Sequence, residues 1–390
     1  YVSLKKHVLW SQEKILSLII ITQTRYTSLS NGYQSEEHTV VTEDGYVLQL
    51  FRITKGAKCE EPTRRTPVLL MHGLLLSGDC WLDAGPGAGL AYLLADSCVD
   101  TWVGNVRGTH YSRRHIRLDP DRDKRFWKFS VDEIGLYDIP AFVDYVLSKT
   151  GVAQLNYIGY SQGAGTFLIM CSEKPGYCNK SKVMIALAPA TRHFYTKSVL
   201  FRSLPLLVMH QKDLLQAFGI WELFARRLPA YEFLSNLCQY EEASSFCEWI
   251  LAMLDAPHPR SISRKTLKVL YKNVLAGTST QNIARYGQSM LRLSFDKYDF
   301  GTLKNRRLYG SDYPPEYNLT AATVPAVVMY GRNDGIVDVR DVEWLVSKLP
   351  NVKESVAVED QSWSHLDMAF SQNTRSMIFP KINKYLLQYD

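Results

Sequence analysis

Short uninterrupted apolar runs alternate with stretches of helical spacing over much of this chain. After Asn31-Gly32, the segment EEHTVVTEDGYVLQLFRI carries two alternating apolar and polar runs around Thr42-Glu43-Asp44-Gly45, a pattern that predicts a hairpin. TPVLLMHGL (66–74) and VDTWVGNVRG (99–108) are continuous apolar runs, as expected of strands buried on both faces. Between them GAGLAYLLADS has a helical period. Beyond them VDEIGLYDIPAFVDYVLSKTG gathers Ile134, Tyr137, Ala141, Phe142, Tyr145 and Val146 on one broad helical face and stops at Gly151. LNYIGYS, KVMIALAPA (182–190), VPAVVMYG (324–331) and ESVAVED (354–360) continue the strand series. That order predicts an α/β fold with a mostly parallel sheet covered by helices on both faces.

From about residue 191 to 323 the alternation stops and helical apolar periodicity with many aromatics takes over. The expected organisation is an N-terminal segment (1–31), a core in two pieces (32–190 and 324–390), and a helical cap or lid inserted at 191–323. Open α/β sheets bind ligands at the carboxyl ends of their strands, so such an insertion roofs the site. Within it, DLLQAFGIWELFARRL places Leu214, Leu215, Phe218, Trp221, Leu223 and Phe224 near helical spacing, opposite Arg226 and Arg227. This predicts one amphipathic face, most of it packed on the core and part available to a lipid surface.

Composition narrows the classes. With 390 residues, 46% hydrophobic and 22% charged, the chain fits one large folded unit with an insertion, without repeats or low-complexity tracts. A net charge of +6 is small for this length and no long basic run accompanies it, so nucleic acid is not an expected partner. The seven cysteines (59, 80, 98, 171, 178, 238, 247) lack the spacing of a zinc site; an odd count leaves at least one thiol free. No metal or cofactor is expected. Asn179-Lys180-Ser181 and Asn318-Leu319-Thr320 are glycosylation sequons that fit a secretory compartment. ILSLIII (15–21) reads as part of a first helix in preference to a signal-peptide core.

Gly159-Tyr160-Ser161-Gln162-Gly163 matches G-x-S-x-G directly after a strand and before a helix, the context that gives this motif meaning. A serine hydroxyl is a poor nucleophile near neutral pH, so it needs a base to take its proton and an acid to orient that base. Asp334, past the strand 324–331, and His365, past the strand 354–360, supply both in the order Ser, Asp, His. Asp338 and Asp367 are rival acids; Asp338 is the better helix cap, and Asp367 lies close to His365 in the chain. His72 is a rival base, and its position before Gly73 at a strand end favours a loop-shaping role. The oxyanion formed by attack on a carbonyl needs two backbone N–H donors, expected at Gln162 and Leu74.

Taken with SEEHTVVTEDGYVLQLFRI, HGLLLSGDCW, GNVRGTHYSRRH, FWKFSVDEIGLYDIPA, ALAPA, FDKYDFGTLKNRRLYG, PPEYNL and YGRNDGIVD in this order, the sequence resembles the gastric and lysosomal acid lipase family from about Gly32 to the C-terminus. The resemblance implies an α/β-hydrolase core with a helical cap that hydrolyses acylglycerols or cholesteryl esters. It places Ser161, Asp334 and His365 on the family's triad positions, Leu74 and Gln162 on its oxyanion positions, and Cys238 with Cys247 on its cap disulfide. Three departures stand out: Ser364 and Met368 replace the family's Asn and aromatic around the histidine, Tyr160 replaces its His before the serine, and ITQTRYTSLS looks inserted before Asn31-Gly32.

The expected function is therefore a serine carboxylic-ester hydrolase acting on neutral lipid at a lipid–water interface, secreted or lysosomal, with peripheral contact to a membrane or lipid droplet. A catalytically silent lipid carrier on the same fold and an esterase for small polar esters are the alternatives. No oligomeric state follows from the sequence.

Overall fold

The computed structural model describes residues 31–59, 66–225 and 229–390; the expectations for 1–30, including ILSLIII, and for Arg226 and Arg227 lie outside the described residues. Among the described residues ten strands occur in chain order: β1 (Gln34–Val41), β2 (Val47–Lys55), β3 (Val68–Met71), β4 (Thr101–Asn105), β5 (Leu155–Tyr160), β6 (Ser181–Leu187), β7 (Glu222–Leu223), β8 (Thr278–Ser279), β9 (Ala326–Tyr330) and β10 (Val352–Ala357). Eight form one sheet in the order β1-β2-β4-β3-β5-β6-β9-β10. The pairs from β4 to β10 are parallel, while β1 with β2 and β2 with β4 are antiparallel.

Burial explains this layout. β3, β4 and β5 are buried at every residue, which matches their unbroken apolar runs, and helices cover both sheet faces. One face gathers Met71, Phe142, Val143, Phe167 and Val328; the other gathers Leu70, Ile158, Ile185, Leu90 and Ile382. Each such side chain contributes roughly 1.5–3 kcal/mol by leaving water. The two edge strands, β1 and β10, alternate half-buried and exposed residues instead, with charges such as Glu36, Lys353 and Glu354 on them. Charged edges discourage pairing with another chain.

The chain runs from β3 outward to β4 and then back across β3 to β5, so the loops leaving β3 and β5 diverge at a topological switch point. A crevice at the carboxyl ends of these strands is the consequence.

Two sequence expectations needed correction. The segment 131–150 is not one uniform helix: a π-helical turn, Ile134–Asp138, precedes the α-helix Ile139–Thr150. Pro140 has no N–H to donate to the carbonyl four residues back, and the wider turn takes up that interruption. DLLQAFGIWELFARRL is not one amphipathic face either. The helix Val199–Ala217 ends at Gly219, whose φ of +78° suits glycine, and the Ile220 N–H closes back on the Leu215 carbonyl at 2.9 Å. Glu222 and Leu223 then pair with Thr278 and Ser279 as β7 and β8. As a result Leu214 and Phe218 are exposed, whereas Leu215, Leu223 and Phe224 pack around Val208, Ile283 and Tyr298.

Between β6 and β9 the longer elements are helices: Val199–Ala217, Pro229–Leu237, Ser244–Leu254, Arg264–Asn273, Thr280–Ser289 and Thr302–Tyr309. Disulfides join Cys59 to Cys98, Cys171 to Cys178 and Cys238 to Cys247, and Cys80 is free and buried.

Arg107, 1% exposed, ties three segments together. Its guanidinium forks onto Asp44 of the β1–β2 turn at 2.7 and 2.9 Å, its Nε reaches Asp138 at 2.8 Å, and it stacks over the Tyr46 ring. The Asp138 carboxylate also accepts the Arg107 backbone N–H. Arg107 would keep Asp44 if Asp138 were lost, but its Nε and backbone N–H would be left as buried donors without an acceptor, at a cost of about 1–3 kcal/mol. Asp138→Ala is expected to lower unfolding stability by that amount in a denaturant titration; a change within about 0.5 kcal/mol, the range of surface substitutions, would refute this role.

Candidate active site

The site begins at the turn between β5 and the helix Gln162–Glu173. Ser161 sits there with φ +53° and ψ −114°, a conformation that non-glycine residues rarely adopt. The turn persists because its polar backbone groups are all engaged. Ser161 donates its N–H to the Leu187 carbonyl at 2.9 Å, and its own carbonyl accepts from Ala164, Gly165 and Ala190. The flanking glycines are required by space: a Cβ on Gly159 would lie 2.6 Å from the Ala164 nitrogen, and one on Gly163 would lie 2.3 Å from the Met71 carbonyl oxygen. Strand, serine and helix can approach this closely only without those side chains.

Asp334 and His365 arrive from loops that follow β9 and β10. Asp334 is buried, and its Oδ1 accepts the N–H groups of Ile336 and Val337 at 2.8 and 2.7 Å, which fixes the carboxylate in its own turn. Its Oδ2 faces His365 Nδ1 at 2.8 Å, and His365 Nε2 faces Ser161 Oγ at 2.9 Å. Three residues far apart in the chain thus form one continuous hydrogen-bonded line. Burial alone would lower the pKa of His365, but the charge and hydrogen bond of Asp334, with Asp255 behind it, leave it raised above the ordinary value of 6.5. In this arrangement the imidazole can accept the serine proton while the carboxylate stabilises the resulting imidazolium.

The rival residues are occupied elsewhere. Asp338 caps the helix Val339–Lys348 by accepting the Arg340 N–H. Asp367 accepts from Ser261 Oγ and the Ser364 N–H and pairs with His258. His72 is fully buried between the Gly73 carbonyl and the Val106 N–H, and burial lowers its pKa to about 4. It holds the β3 loop against the β4 loop, far from protonation at neutral pH.

Gln162 directly follows Ser161 in the chain, and Leu74, on the loop after β3, lines the crevice together with Ser161. Neither amide donates to a backbone carbonyl among the turn and loop bonds of the described residues. Gln162 is the first residue of its helix, where N–H groups lack helical partners. Its side-chain Oε1 accepts from Asn282 Nδ2 and Tyr286 Oη, both at 3.1 Å, so a helix of the 191–323 segment holds this residue in place. Gly73 brings the other loop close: a Cβ there would be 3.2 Å from the Ser161 Cβ.

Two contacts had no legible signal in the chain. Tyr160, where the resemblance implies a histidine, donates its hydroxyl to the His365 carbonyl at 3.0 Å and lies near the imidazole at 5.1 Å between ring centroids. Asp255 lies behind the triad, and burial together with the charge of Asp334 pushes its carboxyl up to about 7. An Asp before Ala-Pro at the end of a helix reads as an ordinary helix stop, so only the fold reveals its neighbours.

The crevice above Ser161 is lined by Leu74, Leu75, Leu76, Phe201, Leu254, Val274, Leu275, Ile336 and Leu366, together with Ser161 and His365. Its walls suit a hydrocarbon chain whose polar end reaches the serine.

Residues 66–369 match the alpha/beta hydrolase fold family, and residues 24–85 match the partial alpha/beta-hydrolase lipase region. Gastric triacylglycerol lipase of Homo sapiens is 35% identical over 353 residues, covering 90% of this chain and 87% of that protein. Lysosomal acid lipase/cholesteryl ester hydrolase of Macaca fascicularis is 33% identical over 366 residues, covering 92% and 89%. Lipase 1 of Drosophila melanogaster is 36% identical over 356 residues, covering 91% and 77%. A solved structure from Sulfolobus solfataricus, 16% identical, superposes with a TM-score of 0.60 over 92% of this chain and 95% of that one, which shows the shared fold. Identity near one third, sustained over nine-tenths of the chain on this fold, makes the protein a member of the acid lipase family of α/β-hydrolases.

Proposed function

We propose that this acid lipase hydrolyses the carboxylic ester bonds of neutral lipids, acylglycerols or cholesteryl esters, through an acyl-enzyme on Ser161. His365 takes the serine proton as Oγ attacks the ester carbonyl and then gives it to the departing alcohol. Asp334 orients the imidazole and stabilises its charged form. The N–H groups of Leu74 and Gln162 hold the oxyanion, and water, activated by His365, releases the fatty acid. The observation that carries the reading is the unbroken Asp334–His365–Ser161 hydrogen-bonded line at the floor of an apolar crevice. A silent carrier has no use for such a line, and a small polar ester has no use for such walls.

Residues 191–323 act as the cap over this crevice, supplying Phe201, Leu254, Val274, Leu275 and Tyr286 to its lining. The outer side of the cap is unusually apolar. Leu207, Leu214 and Phe218 are exposed on and just after one helix, and Phe246, Trp249 and Met253 are exposed at helical spacing on another. Phe218 is 77% and Trp249 56% accessible, and together these side chains form a face suited to a lipid surface. Three disulfides support passage through an oxidising compartment, in keeping with a secreted or lysosomal enzyme. No helix among the described residues is long and apolar enough to cross a membrane.

Four outcomes are expected. Ser161→Ala lowers kcat on a soluble 4-nitrophenyl ester by at least about 10⁴-fold, and retained turnover would end the acyl-enzyme reading. Because His365 must be neutral to act as base and its pKa is raised, kcat/KM for that ester falls as pH drops through a value above 6.5. Asp334→Asn removes the charge that raises it, so the acid limb moves to lower pH along with the loss of rate; an unmoved limb would show that Asp334 does not set the histidine's pKa. Replacing Phe218 and Trp249 together by Ser cuts activity on emulsified triacylglycerol far more than on the soluble ester, and equal loss on both would remove the lipid-facing role.

A further inference from the structure

Asp255 is the C-terminal cap residue of the helix Ser244–Leu254, eighty residues before Gly335 and more than a hundred before Leu366, yet it touches the backbone of both loops that carry the triad. Its Oδ1 accepts the Gly335 N–H at 2.9 Å, directly after Asp334. Its Oδ2 accepts the Leu366 N–H at 2.8 Å, directly after His365. The backbone is pressed into the same junction: a Cβ on Gly335 would lie 2.2 Å from the Asp255 carbonyl oxygen. Around it, Gly335 O accepts the N–H groups of Lys197 and Ser198, and Ser198 Oγ donates to the Leu254 carbonyl at 2.6 Å. The segment that enters the cap and the segment that bears Asp255 therefore meet at the acid's turn.

Resting on the acyl-enzyme reading above, we propose that Asp255 is a positioning residue for catalysis: one carboxylate spans the Asp334 and His365 loops and sets the separation of acid and base. Above its raised pKa of about 7 the carboxylate is ionised and both of its oxygens accept, so one group can meet two N–H donors that point inward from different loops. A neutral amide of the same shape cannot do so, since its NH₂ would face one of the N–H groups and leave that buried donor unmet. A further backbone hydrogen bond joins these loops, from the Asn333 N–H to the Trp363 carbonyl at 3.2 Å, on the side that precedes the acid and the base. The Asp334 carboxylate is oriented by its own turn, through Ile336 and Val337, and the hydrogen bond it makes to His365 is the one whose geometry must be held. Tyr160 restrains the histidine from the strand side and Asp255 from the cap side. Small errors in such geometry are expensive, because a misplacement of about 1 Å near the chemistry costs on the order of 100-fold in rate.

The experiment compares the full-length wild type with D255N on a soluble 4-nitrophenyl ester, with active sites counted by a fluorophosphonate that reacts at Ser161. The expected result is a loss of about 10- to 100-fold in kcat per titrated site, KM within about twofold of wild type, and a fall of similar size in the phosphonylation rate constant. Wild-type kcat per titrated site overturns the proposal, as does a change in KM alone or a loss explained wholly by fewer folded molecules. Should D255N not fold, D255E, which keeps the charge but shifts both acceptors by a methylene, is expected to show the same kcat loss; wild-type kcat in D255E overturns the proposal. An active wild type with an unaffected variant removes this proposal alone, whereas a wild type that neither turns over nor reacts with the fluorophosphonate removes the acyl-enzyme reading and this proposal with it.

Discussion

The strained turn at Ser161 is the constraint on which the rest of the site depends. A residue held at positive φ without glycine's freedom costs of order 1–3 kcal/mol, and it survives only where its surroundings leave no alternative. Here β5 and β6 clamp it on one side, through the bond from the Ser161 N–H to Leu187, and the first turn of the following helix clamps it on the other. The glycines at 159 and 163 let the helix and the β3 loop close in to within van der Waals contact. The cost is met by the buried parallel sheet, and in return the hydroxyl stands clear of the backbone at the mouth of the crevice.

Once the serine is placed, its partners are placed by other means. Asp334 and His365 hang on loops, which are less determined than strand ends, so each is tethered by hydrogen bonds to backbone from outside its own loop or turn. Tyr160 reaches the His365 carbonyl from the strand that carries the serine. Asp255 reaches the neighbouring N–H of each loop from the helical segment that roofs the site. Gln162 is anchored in the same way by Asn282 and Tyr286. The roof is thus joined by hydrogen bonds to three of the groups on which the proposed chemistry draws, and it is also the part of the molecule with the most exposed apolar side chains. The proposed lipid-facing surface and the hydrogen-bonded line of Asp334, His365 and Ser161 are joined through a few short segments of chain.

Much of this architecture could be read along the chain because burial leaves a direct imprint on residue type. Strands covered on both faces must be apolar at most positions, so β3, β4, β5, β6 and β9 stand out as dense apolar runs, and the turn after β5 announces itself through glycines that only a close approach requires. Apolar spacing misled where it was taken alone. In 213–228 the same residues that would line one helix are divided between a helix end, a glycine reversal and a two-residue strand, because tertiary pairing of Glu222 and Leu223 with Thr278 and Ser279 outweighs local periodicity.

Sequence by itself determined the order of strands and helices, the family, and the residue types able to activate a serine, since each depends on local pattern or on composition at fixed spacing. Tertiary structure decided which acid among Asp334, Asp338 and Asp367 faces His365, that Asp255 stands behind both loops, and which part of the helical segment's apolar surface meets solvent. Those outcomes depend on distances between groups up to two hundred residues apart, and such distances are set by packing of the whole chain and leave no mark on the spacing of letters within it.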